Sequence, residues 1–358
     1  MKRKNIIPLL VLPLLLTSCG SSDPTALPNK GTQISAADGK ANFKKAYQAT
    51  ETAVVTNNGA AKASIEDGYV TMDYSTETKV QNNVTFSSTG SFEIRDFNLT
   101  LAANGLTSSD INDYHFYGHT GFKAKYDFES TGYGANTSSK MDEKTYSADV
   151  YDDKDYTYVD LSQGDTLNMV KSIVTGYGSY SGGLMVDLKD GKLKLGKDTS
   201  DSWHPYISTE ISEDDFAEAE KFLLTEEEDG VYKDHGNGTY SYSYSLNGND
   251  INKQEENNDT DENSSTVQQS FCNSNMNFNS SSSVEYAIVY SEKTGITSIG
   301  LKGDITFSFA NQYDNGENSG YSNTSSYHLT FGLKLSFTYR GNIDVKTVSD
   351  PDSYTLIK

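Results

Sequence analysis

The feature that most constrains this chain is a period-two alternation of apolar and polar residues sustained over unusual lengths. Leu329, Phe331, Leu333, Leu335, Phe337 and Tyr339 alternate with Thr330, Gly332, Lys334, Ser336, Thr338 and Arg340. Successive side chains of a strand point to opposite faces, so this spacing puts every apolar residue on one side. Phe122, Ala124, Tyr126 and Phe128 repeat the pattern, as do Tyr240, Tyr242, Tyr244 and Leu246, and Ile299, Leu301, Ile305, Phe307 and Phe309. The run over 329–339 alone spans about 36 Å as a strand, against about five or six residues for a common strand. Such a chain must build a sheet with one covered and one wet face. Phe92 and Ile94 are even, whereas Phe97, Leu99 and Leu101 are odd, and this parity change at Arg95-Asp96 predicts a bulge that bends the strand.

Turn chemistry joins neighbouring strands in antiparallel order. Asp190-Gly191 reads as a two-residue hairpin turn, Asp152-Asp153-Lys154-Asp155 separates two further strands, and Lys293-Thr294-Gly295 a third pair. Sequential hairpins predict a meander. Three helices are expected. Residues 41–55 place Phe43, Ala46, Tyr47, Thr50 and Val54 on one face. Residues 164–174 do the same with Leu167, Val170 and Ile173 or Val174. Residues 212–224 open on Ser212 and Asp215, close to a capping box, and carry the stripe Phe216, Ala219, Phe222 and Leu223. The polar stretches 247–269 and 312–326 read as solvated loops.

The beginning of the chain carries a separate signal. Lys2, Arg3 and Lys4 precede an apolar run over residues 6–16, which is too short for a bilayer span of about 20 residues. It has the length of a signal-peptide apolar region. Leu16-Thr17-Ser18-Cys19 follows at once and resembles the bacterial lipobox. The resemblance implies cleavage before Cys19, a diacylglycerol thioether on its sulfur, and a protein held on the extracytoplasmic face of a cell membrane. Two or more acyl chains anchor stably where one is marginal. The expected organisation is therefore a signal peptide over 1–18, a flexible Ser/Gly/Pro-rich tether over 19–38, and one domain over 39–358.

Composition narrows the partners. Removing Lys2, Arg3 and Lys4 takes the formal charge from -21 to -24, which argues against nucleic acid, whose phosphates need clustered Lys and Arg. With Cys19 acylated, Cys272 has no partner within the chain, so the fold rests on its hydrophobic core rather than on disulfides.

The order of lipobox, tether, amphipathic helix, long amphipathic strands, a Tyr-x-Tyr hairpin strand followed by a helix, and the late hairpin Tyr290-Ser291-Glu292-Lys293-Thr294-Gly295-Ile296 resembles the LolA/LppX-like superfamily of lipoprotein and lipid carriers. The likeness covers about residues 41–345 and is clearest over 146–174 and 284–309. The acidic insertion after Gly248 and the length of the chain depart from the family pattern. The resemblance implies a mainly β fold, an open curved antiparallel half-barrel with helices on its concave side.

A search for chemistry finds little. His115 and His119 share the polar parity of their strand and are expected to face water, about 13 Å apart and too far to share a metal. His204 and His235 fall in turns. The Asp152–Asp155 cluster reads as a charged hairpin tip. Asp259-Thr260-Asp261-Glu262-Asn263 starts like a calcium loop but has Ser264 in place of the required Gly and Ser270 in place of the closing Glu. Nucleophile-elbow and phosphate-cradle motifs are absent. No catalytic residue, metal or cofactor is expected. The expected function is a noncatalytic, membrane-anchored lipoprotein that binds an apolar or amphipathic, lipid-like molecule between sheet and helices, with Trp203, Leu167, Val170, Phe216 and Leu223 as candidate ligand contacts. The competing expectation is a surface interaction or scaffold protein without a cavity.

Overall fold

The structure, a computed structural model, describes residues 23–80, 84–132, 135–176, 188, 190–197, 213–224, 230–252, 276–314 and 320–357. Its elements in chain order are β1 (Thr32–Ile34), α1 (Ala36–Thr56), β2 (Ala61–Val80), β3 (Val84–Asn104), β4 (His115–Gly132), β5 (Ala135–Asp152), β6 (Tyr156–Asp160), α2 (Thr166–Gly176), β7 (Lys192–Gly196), α3 (Glu213–Leu223), β8 (Val231–Gly236), β9 (Thr239–Asn247), β10 (Met276–Phe278), β11 (Ser283–Ser291), β12 (Gly295–Asp314), β13 (Gly320–Thr338) and β14 (Thr355–Ile357). The strands all belong to one open sheet of order β1-β8-β9-β11-β12-β13-β2-β3-β4-β5-β6-β7-β14, with β10 added to the far half of β12. The fold is mainly β, an open curved sheet with a few helices.

The expected meander is present twice. Strands β2 to β7 follow one another, and β8, β9, β11, β12 and β13 do the same. The two halves meet where β13 pairs with β2, from Ser322↔Lys79 to Thr338↔Lys62. Pairing is antiparallel except for β14 on β7. The hairpins at Asp152–Asp155 and Lys293–Gly295 form as expected. Asp190-Gly191 forms a turn with Gly191 at positive φ, although the strand expected before it lies largely outside the described residues.

Bulges bend the sheet at one level. Asp96 adopts φ 51° and the β3–β4 register shifts between Arg95 and Asn98, where the parity change predicted it. Neighbouring β2 carries Asp67 at φ 54° with shifts around Gly68, and the β13–β2 register slips between Gly332 and Leu335. Asn98 ties two of these irregularities together: its Oδ1 accepts from the Asp67 amide at 3.2 Å, and its Nδ2 donates to the Asp96 carbonyl at 2.8 Å. Extra residues in adjacent strands add curvature and twist at a shared line.

α1 packs on β8, β9, β11 and β12 and against α3. Its apolar stripe falls as expected: Phe43, Ala46, Tyr47 and Val54 are all buried. It begins five residues earlier than expected, because Ser35 caps it. The Ser35 hydroxyl accepts from the Asp38 amide at 3.1 Å and donates to the Asp38 carboxylate at 2.6 Å. Phe43 meets Tyr290 edge-on at 5.3 Å, and Phe216 of α3 closes over Tyr47 at 5.8 Å. Leu224, Tyr232, Tyr242 and Ile288 complete this cluster.

Two expectations about loops are corrected. Residues 312–326, read as a solvated loop, are mostly strand: Asn311↔Asn323, Gln312↔Ser322, Tyr313↔Tyr321 and Asp314↔Gly320 extend the β12–β13 hairpin. Ladder hydrogen bonds are made by backbone, so a polar stretch continues a hairpin once its neighbours set the register. The tether is also shorter than 19–38. From Asp23 onward the chain lies on the sheet, with the Lys302 ammonium 3.7 Å from Asp23, Thr25 donating to Glu285 at 3.0 Å, and Asn29 donating to the His235 carbonyl at 3.2 Å before β1 pairs with β8. The part of the 247–269 stretch beyond Asn252 lies outside the described residues.

Two consequences are measurable. Leu333 is buried against Ile65 and Leu335, so Leu333→Asp should destabilise the protein by about 3–5 kcal/mol, read from the denaturant midpoint. Glu51 sits in the α1–α3 contact at 8 % exposure, and its Oε2 has no hydrogen-bond partner. Burial first, and the charge of Asp215 second, raise its pKa to about 7. A carboxyl whose folded pKa exceeds its unfolded value stabilises the fold below the unfolded pKa and loses that contribution as pH rises through the folded one. Melting temperature of the wild type should therefore fall relative to Glu51→Gln between pH 5 and pH 8, and the two curves should approach each other at the acid end.

Candidate functional site

The sheet is larger than the helices that cover it. Strands β2, β3, β4, β5, β12 and β13 run 18–21 residues, about 60–70 Å. Their neighbour β11 stops at Ser283, opposite Asp304, and α1 reaches β12 only near its start, where Thr50 accepts from the Ile296 amide at 2.9 Å. Beyond that level, among the described residues, the strands overhang as a single layer.

Register sorts the overhang into two unlike faces. Cross-strand partners share a face, so Ile305↔Leu329↔Met72↔Phe92↔Tyr126↔Met141 forms one apolar row across six strands. The next row is Phe307↔Tyr327↔Tyr74↔Gly90↔Phe128. The opposite face carries Asp73, Ser75, Glu77, Lys125, Asp127, Ser326 and His328, all exposed. Its pairs include Lys125 with Glu93 at 2.6 Å and His328 with Asp304 at 2.9 Å. Exposed pairs of this kind add only ~0–1 kcal/mol each.

Rings on the apolar face form a ladder. Phe278 meets Phe307 at 5.8 Å, Phe307 stacks on Tyr327 at 5.0 Å, Tyr327 on Tyr74 at 6.2 Å, Tyr74 contacts Phe128 at 5.6 Å, and Phe128 stacks on Tyr126 at 5.0 Å. The ladder crosses β3 because Gly90 stands there. A Cβ at that position would lie 2.1 Å from the Phe128 ring and 2.7 Å from that of Tyr74, so any side chain would part the two rings. From β12 to β4 the stack spans about 19 Å. Its rings are half-buried, each covered on its flanks by the next. The Tyr74 hydroxyl lies 3.0 Å from the Ser88 hydroxyl, a polar mark inside the apolar field. Contiguous apolar surface of this extent, rimmed by polar residues, is the usual sign of a binding surface.

The candidate contacts inferred from sequence are distributed differently. Phe216 and Leu223 do not line a groove: both are buried in the α1–α3–sheet core, where Phe216 packs on Phe43 at 6.2 Å and Tyr286 donates to the Leu223 carbonyl at 3.0 Å. The helix lies flat on a face already filled by aromatic side chains. Phe222, expected in the same stripe, points out at 49 % exposure. Leu167 and Val170 are half-buried on α2, whose start is stitched to β5 by Thr166, its hydroxyl donating to the Ser147 carbonyl and accepting from the Ser147 amide, both at 2.7 Å. Cys19, Trp203, His204, Cys272 and the 259–263 acidic loop lie outside the described residues.

One polar cluster escaped the sequence reading. His119 lies opposite Asp149, and Asp149 opposite Asp160. The buried Asp149 accepts from Tyr117 at 3.0 Å, pairs with His119 Nδ1 at 2.9 Å, and accepts from Gln163 at 3.4 Å. The face expected to be wet is crossed here by the chain after β13: Lys346 donates to the Tyr117 hydroxyl at 3.2 Å and Lys194 donates to the Pro351 carbonyl at 3.1 Å. Tyr354 then meets Tyr158 edge-on at 5.2 Å. Burial, then the bond to Asp149, raise the Tyr117 pKa, so its phenol stays a donor. The cluster fastens the C-terminal segment to the sheet. The Asp152 and Asp153 carboxylates are also committed, to Lys197 and Thr157 and to the amides of Asp155 and Tyr156 respectively. Among the described residues no group of three or more His, Cys, Asp or Glu is placed to hold a metal.

No family model matches the chain, and no curated protein matches it. Among solved structures it is similar to Pseudomonas aeruginosa OpdK with vanillate, at 8% identity over 76% of this chain and 98% of that one with a TM-score of 0.12. It is also similar to the β domain of the Bordetella autotransporter BrkA, at 7% identity over 77% and 100% with a TM-score of 0.11. At such scores the likeness carries no argument.

Proposed function

We propose that this chain is a noncatalytic lipoprotein, acylated on Cys19 and held on the extracytoplasmic face of a cell membrane, whose overhanging aromatic ladder binds an apolar or amphipathic molecule. The supporting observation is the mismatch between sheet and cover: two apolar rows cross the overhanging part of the long strands, and among the described residues the helices pack on only the other end of the sheet. An elongated stack of rings with tyrosine hydroxyls at intervals suits a guest with a flat or extended apolar body and a polar end. The lipobox-like Leu16-Thr17-Ser18-Cys19 supports the anchor. A second reading, a surface scaffold or adhesion protein, is favoured by the filled core under α1 and α3, which leaves no room for a guest between those helices and the sheet.

Binding of a fluorescent fatty acid to the soluble domain separates the two. Saturable binding that weakens about tenfold or more in a Tyr74→Ser/Tyr327→Ser variant with an unchanged melting temperature is expected for a ligand surface, corresponding to a loss of about 1.4 kcal/mol. Absence of saturable binding in the wild type would leave the scaffold reading. For the anchor, Cys19→Ala should move the protein from the membrane to the soluble or precursor fraction, followed by detergent partitioning.

A further inference from the structure

The segment before β1 lies in an unexpected place. Asp23 lies over the middle of the polar face, and the chain then runs toward β8, where β1 adds at the sheet edge. Pro24 occupies a slot that two glycines make. A Cβ at Gly300 of β12 would lie 2.1 Å from the Pro24 carbonyl oxygen, and one at Gly332 of β13 would lie 2.7 Å from the Pro24 ring. Lys302, paired across strands with Glu285 and Gly332, holds Asp23, and Glu285 accepts from Thr25. The Thr25 amide and hydroxyl both donate to Asp23, at 3.1 and 2.9 Å, closing the segment into a local turn. These bonds and the charge of Lys302 outweigh the partial burial of the Asp23 carboxyl and hold its pKa below the ordinary value.

Chain length then restricts where a membrane can be. Cys19 precedes Asp23 by four residues, a fully extended reach of about 14 Å. The near edge of the sheet, at β1, is about 19 Å from β12 across β11, β9 and β8, and a path around it must also pass the thickness of the layer. Along the strand, Gly295 at the start of β12 is about 17 Å from Gly300. The polypeptide between Asp23 and Cys19 is therefore too short to round either edge, and Cys19 stays on the side of the sheet on which Pro24 sits.

We infer that the polar face over β11, β12 and β13 rests against the lipid surface that carries the anchor, and that the aromatic ladder faces away from that membrane. This rests on the anchored-lipoprotein reading and deepens it: the ladder receives its guest from the envelope space or from another molecule, and is not a wedge into the protein's own bilayer. Lys302, held between Asp23 and Glu285 at 3.7 Å each, and Lys334 flank the slot on the same face.

Ser75 and Thr76 give the test. They are adjacent on β2, Ser75 on the polar face opposite Ser326 and Thr76 on the ladder face opposite Ser325. In a Cys272→Ser background, the acylated full chain carrying Ser75→Cys or Thr76→Cys is labelled with a fluorophore and bound to phosphatidylcholine–phosphatidylglycerol vesicles doped with a headgroup quencher. Quenching at position 75 should exceed that at position 76 several-fold. Equal quenching, or stronger quenching at position 76, would overturn the orientation. Inserting about 15 Gly/Ser residues between Ser22 and Asp23 should abolish the difference by lengthening the reach, and a persistent difference would show that tether length does not set it. Mass spectrometry of the N-terminal peptide keeps the two ideas separate. Without diacylglycerol on Cys19 the anchor reading itself fails; with it, the quenching result decides the orientation alone.

Discussion

The pairing of β13 with β2 holds this protein together. Each half of the chain is a meander that exposes one apolar face and one unpaired edge. Joined at this seam, the two edges satisfy each other's backbone groups from Ser322↔Lys79 to Thr338↔Lys62, and a single sheet results whose apolar rows run across both halves. The burial of Ile65 against Leu333 and Leu335 spans the same seam. Contacts this distant in sequence must be made late and at an entropic cost, which is offset only because the seam is long. The ladder depends on the joined surface, since it needs Tyr327 of one half beside Tyr74 of the other, while α1 packs within one half on β8, β9, β11 and β12.

Cover is unequal along that surface. At one end α1 and α3 supply Phe43, Ala46, Tyr47, Phe216 and Leu224, and aromatic side chains of β8, β9 and β11 fill the space between. At the other end the strands outrun both helices, and the rings shield one another instead. Stacking at 5–6 Å removes part of each ring from water without a second layer and leaves each ring half-buried. The line of bulges near Asp67 and Asp96 marks the change from covered sheet to overhang, and bends the strands there.

Glycines set the close approaches that give the sheet its two working faces. Gly90 lets the ring stack pass across β3, while Gly300 and Gly332 let Pro24 lie directly on backbone. The same missing side chains that weaken a strand here admit a neighbour from above. The C-terminal segment is held on the polar face by other means, through Lys346 on Tyr117 and Tyr354 on Tyr158, so both ends of the chain strap the face that faces away from the ladder.

Much of this architecture was legible from periodicity. Alternation identified the long strands and their apolar face, parity located the bulge at Arg95-Asp96, and three- and four-residue spacing found α1 and its buried residues. Local rules act over a few residues, and these features are local. Other features were legible but misread: Ser35 with Asp38 is a helix start lying inside a stretch whose composition suggests a tether. What the tertiary structure alone decided is which residues meet. The ladder depends on register, since Tyr74, Phe128 and Tyr327 become neighbours only when three ladders and Gly90 align. His119 finds Asp149 for the same reason. Phe216 and Leu223 have the spacing of a groove-lining stripe and the fate of core residues, because spacing gives a helix a face and only packing says what that face touches. Strand residues alternate by covalent geometry, whereas the partner of a strand, and the cover over its face, follow from the free energy of the whole sheet.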